Sequence, residues 1–121
     1  MNIRAVDFVM LPVADLARAA RFYRETLGLK QEIFSEEHQW AEFSTGNVTL
    51  ALKGGDAPAP GPGMRIAFAV DDVPAACAQL RARGAAIVDG PTDFGCCQAA
   101  EIRDPDGHSL LLHHRADGTS G

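Results

Sequence analysis

The chain has little cysteine, no surplus of positive charge and no long apolar run, and each shortage removes a class of protein. Three cysteines in 121 residues, two of them adjacent as Cys96-Cys97, do not make the framework of a disulfide-stapled secreted domain. Eleven Lys and Arg stand against sixteen Asp and Glu, a formal charge of −5 at pH 7. That balance argues against nucleic acid as the main partner, because phosphate binding needs a clustered basic surface. No run of apolar residues approaches the roughly 20 that cross a bilayer, so no membrane partner is expected. The opening Met1-Asn2-Ile3-Arg4 leads straight into an apolar strand without the layout of a secretory leader, which points to a cytoplasmic setting with reduced thiols. What is present is an ordinary globular composition, 46% hydrophobic and 22% charged. Its length fits one compact domain or two very small halves.

Residues 5–13 (AVDFVMLPV) read as a buried strand. Asp15 then stands as an N-cap before an amphipathic helix that keeps Leu16, Ala19, Ala20, Tyr23 and Leu27 on one face. Gly28 follows the last apolar position, where a left-handed C-terminal cap wants it. Strands are expected at 29–35, 39–43 and 47–53, with Ser44-Thr45-Gly46-Asn47 supplying hairpin chemistry between the last two. Residues 54–63 (GGDAPAPGPG) hold four glycines and three prolines and read as a linker or loop. The order then repeats. MRIAFAV is a strand, Asp71-Asp72 a cap, and Val73 to Arg83 a helix closed by Gly84. A strand at 85–89, a Gly-Pro loop, a strand near 97–103, a tight turn at Asp104-Pro105-Asp106-Gly107 and a strand at 108–114 complete the second pass. The small polar tail 116–121 is expected to fray.

Setting Phe8 on Arg65 puts Asp15 on Asp72, with one residue lost before the closing glycines Gly28 and Gly84. Setting Gly46 on Gly107 puts Leu50 on Leu111 and Trp40 on Glu101. The fold class expected is therefore α+β, with two tandem βαβββ modules at about 3–53 and 64–115 within one domain spanning 1–115. Each module makes a sheet covered on one side by its helix, and the opposite side needs a second half. Two cupped mixed sheets facing each other would enclose a cavity lined by alternate strand residues.

The motifs VMLPVADLARAARFYRETLGL (9–29) and DPDGHSLLLHH (104–114), in this paired order, resemble the vicinal oxygen chelate superfamily of glyoxalases, bleomycin-resistance proteins, fosfomycin-resistance enzymes and extradiol dioxygenases. The resemblance covers the chain up to about residue 115 and speaks for the fold more than for any one chemistry. It implies a homodimer, and in the family's enzymes a divalent metal held by His, Gln or Glu side chains from the first and last strand of each module. Carried over residue by residue, those positions are Phe8, Leu50, Arg65 and Leu111. Two leucines and a phenylalanine offer no donor atom, and arginine stays protonated. No metal site and no cofactor are expected. The resemblance then narrows to the bleomycin- and mitomycin-resistance branch, in which a dimer sequesters a drug without a metal.

The candidate ligand-binding residues are Phe8, Trp40, Glu42, Leu50, Arg65, Glu101, Leu111 and His113. Trp40 can stack on a planar ligand or pack in the core. Arg65 puts a fixed positive charge where family enzymes put a metal, to hold a ligand anion or to pair with Glu101. Glu101, flanked by Ala99, Ala100 and Ile102, is expected to be partly desolvated with a raised pKa, as a general base or a hydrogen-bond acceptor. Glu42 is read as a rim or solvated carboxylate. His113 points inward and His114 outward, so the pair cannot grip one ion; His38 and His108 flank turns. Cys96 and Cys97 lack a cationic neighbour in sequence that would make a reactive thiolate, and Cys77 belongs to a helix core. Three functions remain open: metal-independent binding of a small planar, antibiotic-like molecule; a lyase or isomerase of the glyoxalase-like type using Glu101 as base and Arg65 as anion partner; and a metal enzyme with relocated ligands at Glu42, Glu101 and His113.

Overall fold

The computed structural model describes residues 1–55 and 65–120; the linker expected at 54–63 falls, from residue 56 on, outside the described residues. The chain divides into two compact units, within Met1–Ala59 and within Pro60–Gly121, each of which builds a four-stranded sheet with helical cover. The architecture is α+β.

In the first unit β1 (Phe8–Pro12) is followed by α1 (Leu16–Arg21), a wider π-helical turn (Phe22–Thr26), β2 (Lys30–Ser35), β3 (Trp40–Ser44) and β4 (Thr49–Lys53). The sheet order is β1-β4-β3-β2, with β1 parallel to β4 and the rest antiparallel. The second unit runs β5 (Ile66–Ala69), α2 (Val73–Ala82), β6 (Ile87–Asp93), β7 (Cys97–Arg103) and β8 (Ser109–Arg115). Its order, β5-β8-β7-β6, is the same topology. Both helices start on the expected caps. Asp15 Oδ1 accepts from the Arg18 N–H and Asp72 Oδ1 from the Ala75 N–H, each at 3.0 Å, satisfying a donor that has no partner within the helix.

The repeat is visible in backbone hydrogen bonds. The Val13 N–H donates to the Lys53 carbonyl and the Val70 N–H to the His113 carbonyl, each at 2.9 Å. The residue lost between the two passes also has a physical cause. A continuous first α-helix was expected, but past Arg21 the winding widens, the Leu27 N–H reaching back to the Phe22 carbonyl at 3.0 Å. An i→i+5 turn absorbs one extra residue without losing the helix.

In each unit one sheet face packs against the helix. In the first, Leu11, Ala41, Phe43, Leu50 and Leu52 are buried with Leu16, Ala19, Ala20 and Tyr23, and the Tyr23 and Phe43 rings meet at 5.9 Å. In the second, Ala100, Ile102, Leu110 and Leu112 are buried along with Val73, Cys77 and Leu80. The Gly-Pro loop expected after residue 89 lies inside β6 instead. Gly90 takes φ +86°, and a Cβ there would come within 2.8 Å of the Ala99 carbonyl oxygen. Only glycine lets the irregular strand approach β7 this closely.

Candidate functional site

Side-chain alternation assigns every strand residue to the helix face or to the opposite, open face. On the first sheet Phe8 pairs with Thr49 and Met10 with Ala51. Glu42 also pairs with Ala51, and Trp40 pairs with Lys53. Phe8, Met10, Trp40 and Glu42 therefore share the open face. Leu50 does not: it pairs with Val9 and with the buried Phe43, is 2% exposed, and belongs to the core under α1. Its assignment as a ligand-facing residue is corrected.

The reason is turn geometry. β4 begins three residues after Gly46, whereas β8 begins two residues after Gly107, so aligning the two glycines slips the strands by one. The hydrogen-bonded register matches Ala51 to Leu111 and Lys53 to His113, and across the sheet it matches Glu42 to Glu101. Trp40 therefore corresponds to Ala99, not to Glu101.

Two constellations result. On the first sheet, Phe8 and Trp40 meet edge to face across β4, centroids 5.8 Å apart at 88°. The indole Nε1–H donates to Glu42 Oε2 at 2.8 Å, which fixes the ring's orientation. Phe8 remains 48% exposed, and the exposed side chains of Met10 and Ile33 add apolar surface to the same face. On the second sheet, Glu101 is the centre. Its Oε1 accepts from Ser109 Oγ at 2.9 Å and lies 3.8 Å from Arg65 Nη2; its Oε2 accepts from Arg103 Nη2 at 3.0 Å. Ser109 and Arg103 were not singled out from sequence, although their two-residue offsets from Leu111 and Glu101 place them on the same face.

This surrounding overturns the expected raised pKa of Glu101. The Ser109 hydroxyl first, and then the Arg103 and Arg65 guanidiniums, hold the carboxyl below its ordinary range despite some desolvation. A carboxylate so stabilised is a weak base. Arg103 takes the short contact, while the Arg65 side chain remains 57% exposed. Leu111 lies directly opposite Glu101, and His113 is the next residue along that face, opposite Ala99. His114 turns the other way and its Nδ1 lies 3.0 Å from the Val70 carbonyl. Asp104 is a turn former: its Oδ1 accepts from the Asp106 and His108 N–H groups at 2.9 and 2.8 Å.

A family model described as the Glyoxalase/Bleomycin resistance protein/Dioxygenase superfamily matches residues 5–112. The chain belongs to that superfamily. Among solved structures it is similar to TnmS3, an antibiotic binding protein from Streptomyces sp. CB03234, with a TM-score of 0.82 and 30% identity over 96% of this chain and 99% of that one. Among curated proteins it is 30% identical to a lactoylglutathione lyase of Haemophilus influenzae, over 93% of both chains. It is 33% identical to a protein of Mycolicibacterium smegmatis, over 93% of this chain and 96% of that protein.

The divalent metal of the family's enzymes does not fit the residues at the four positions carried over. Phe8 and Leu111 have no donor atom, the Arg65 guanidinium has no acceptor lone pair to offer a cation, and Leu50 is buried under α1. The register-corrected neighbours Thr49 and Ala51 bring no imidazole or carboxylate. Among the described residues no three His, Cys, Asp or Glu side chains converge as a metal-binding group.

Proposed function

We propose that this protein binds a small planar aromatic molecule, of antibiotic type, without using a metal. The observation that carries the reading is the half-exposed Phe8–Trp40 pair, edge to face, with the indole pinned by Glu42. A pre-oriented aromatic pair offers a flat ligand apolar area at little cost in side-chain ordering. On the second unit, taken by itself, the largely exposed Arg65 guanidinium offers a contact for a carboxylate or phenolate. Leu111 and His113 complete the second unit's open face, and Glu101 holds the arginines in place rather than acting as base. The likeness to an antibiotic binding protein over nearly the full length of both chains supports the same reading. We assign the working form as a homodimer in the cytoplasm. The exposed Met10 and Ile33 favour association of two copies, and the three unpaired cysteines suit a reducing compartment.

The test is a thermal-shift and calorimetric screen of antibiotics with planar ring systems, mitomycin included, before and after dialysis against EDTA. A ligand is expected to raise the melting temperature by mass action equally in both preparations. Trp40→Ala is expected to weaken binding on the order of 10- to 100-fold, as loss of a buried aromatic anchor does, while Glu101→Gln leaves binding in place. Binding that disappears with EDTA, or survives Trp40→Ala undiminished, overturns the reading. Turnover abolished by Glu101→Gln would establish the lyase instead.

A further inference from the structure

A second feature lies past the end of the β5–β8 ladder and belongs wholly to the second unit. The two strands run parallel, with Ala67 opposite Leu111 and Ala69 opposite His113. The Val70 N–H donates to the His113 carbonyl at 2.9 Å. His114 Nδ1 lies 3.0 Å from the Val70 carbonyl, and since a carbonyl only accepts, that nitrogen carries the proton. Both contacts carry the register on beyond Ala69. Two places further it sets Asp71 beside Arg115, their backbones about 4.8 Å apart at the strand spacing. Alternation puts both side chains on the open face with Ala67, Ala69 and His113. The chain then turns back. The Gly118 N–H donates to the Arg115 carbonyl at 2.9 Å, and Asp117 Oδ1 accepts from the Thr119 N–H and hydroxyl at 2.9 and 2.7 Å. Between this turn and the strand ends lies a cavity of about 310 Å³, lined by Ala67, Ala69, Asp71, His113, Arg115 and Thr119 among others.

Opposite charges side by side on paired strands ordinarily meet each other, but these two do not. Among the described residues no hydrogen bond or ion pair engages the Asp71 carboxylate, and the Arg115 guanidinium makes one long contact, from Nη1 to Thr119 Oγ1 at 3.4 Å. Asp117, the other carboxylate near Arg115, spends its Oδ1 on Thr119. We propose that this cavity binds a free α-amino acid, with the ligand's ammonium on Asp71 and its carboxylate on Arg115. The two charges of such a ligand sit on one carbon, which suits an anion and a cation presented next to each other at two strand ends. A guanidinium fork matches a carboxylate, and an aspartate accepts from an ammonium. Ala67 and Ala69 leave room on the sheet for the ligand's own side chain, with His113 at its edge. A ligand of one sign fits less well, because a simple anion meets repulsion from Asp71 and a simple cation from Arg115. Asp71 and Arg115 take no part in the aromatic site proposed above, and only His113 is common to both, so either reading can fail without the other.

The probes are the standard L-amino acids, titrated into the full chain by calorimetry and thermal shift in a buffer free of amines and carboxylates. At least one is expected to bind saturably. Its N-acetyl derivative and its C-terminal amide, each lacking one charge, should bind on the order of 10-fold or more weakly, as loss of a charged hydrogen-bonding partner does. Asp71→Asn should weaken the free amino acid by a similar factor and erase its advantage over the N-acetyl form. Arg115→Gln should erase its advantage over the amide. Both side chains are exposed, so neither replacement empties the core, and circular dichroism with a thermal melt on each variant separates loss of binding from loss of fold. The proposal fails if no standard amino acid gives saturable heat or raises the melting temperature. It fails equally if the N-acetyl form binds the parent chain as tightly as the free amino acid, or if both variants bind undiminished.

Discussion

Glu101 shows how one carboxylate's neighbours decide its chemistry. Flanking alanines and an isoleucine suggest a desolvated acid, but the side chains that meet it come from β8, from its own strand and from Arg65 just ahead of β5. The sign of its pH linkage follows. Because the folded-state pKa is lowered, Glu101 contributes stability fully present above its unfolded value of about 4.3, and that contribution is lost as pH falls through the folded value. Ser109→Ala removes the foremost of these partners. It is expected to cost about 1.5 kcal/mol at pH 7, at the low end for a hydrogen bond to a charged acceptor. The cost should shrink once the pH is below the carboxylate range. Urea denaturation of the parent and variant at pH 7 and pH 3 checks this, and an equal penalty at both would show that the hydroxyl does not stabilise the charge.

At the scale of the element, what matters is the face each strand presents. Leu50 and Leu111 occupy what the sequence offers as equivalent places after a hairpin glycine, yet one is sealed under α1 and the other looks out beside Glu101. A one-residue slip in a period-two element exchanges inside for outside. Leu50→Ala is expected to cost about 2–5 kcal/mol, the range for emptying a packed core position, and Leu111→Ala less than about 1 kcal/mol. Chemical denaturation midpoints of the two variants give the answer directly, and comparable losses would contradict the face assignment. The first helix carries the complementary lesson. Its extra residue is audible in the spacing to Gly28, but only the chain's winding shows that a π turn takes it up.

For the molecule as a whole, the open face of the first sheet is the consequence with the widest reach. Phe8, Met10 and Ile33 are exposed side chains on one face of one sheet, an arrangement that soluble chains cover by association or ligand. Sedimentation equilibrium is expected to return a species of two chains, with a melting temperature that rises with protein concentration. Met10→Lys, on the same face, should shift the equilibrium toward single chains. A concentration-independent monomer in both proteins would remove the dimer from the proposed function.

Much of this was legible in the residues alone. The alternation of strands, the caps at Asp15 and Asp72, the turn at Asp104–Gly107 and the doubled βαβββ order are local patterns, set by which residues within a few positions can bury apolar area or satisfy backbone donors. Those patterns suffice for the fold and for placing Phe8, Trp40 and Glu101 on strands. They also show that the carried-over positions hold hydrocarbon and a guanidinium. Register, face and partnership are different in kind, because each depends on atoms brought together from distant stretches of chain. That Trp40 is pinned by Glu42, that Leu50 turns inward and that Ser109 and Arg103 keep Glu101 ionised were decided only when the strands paired.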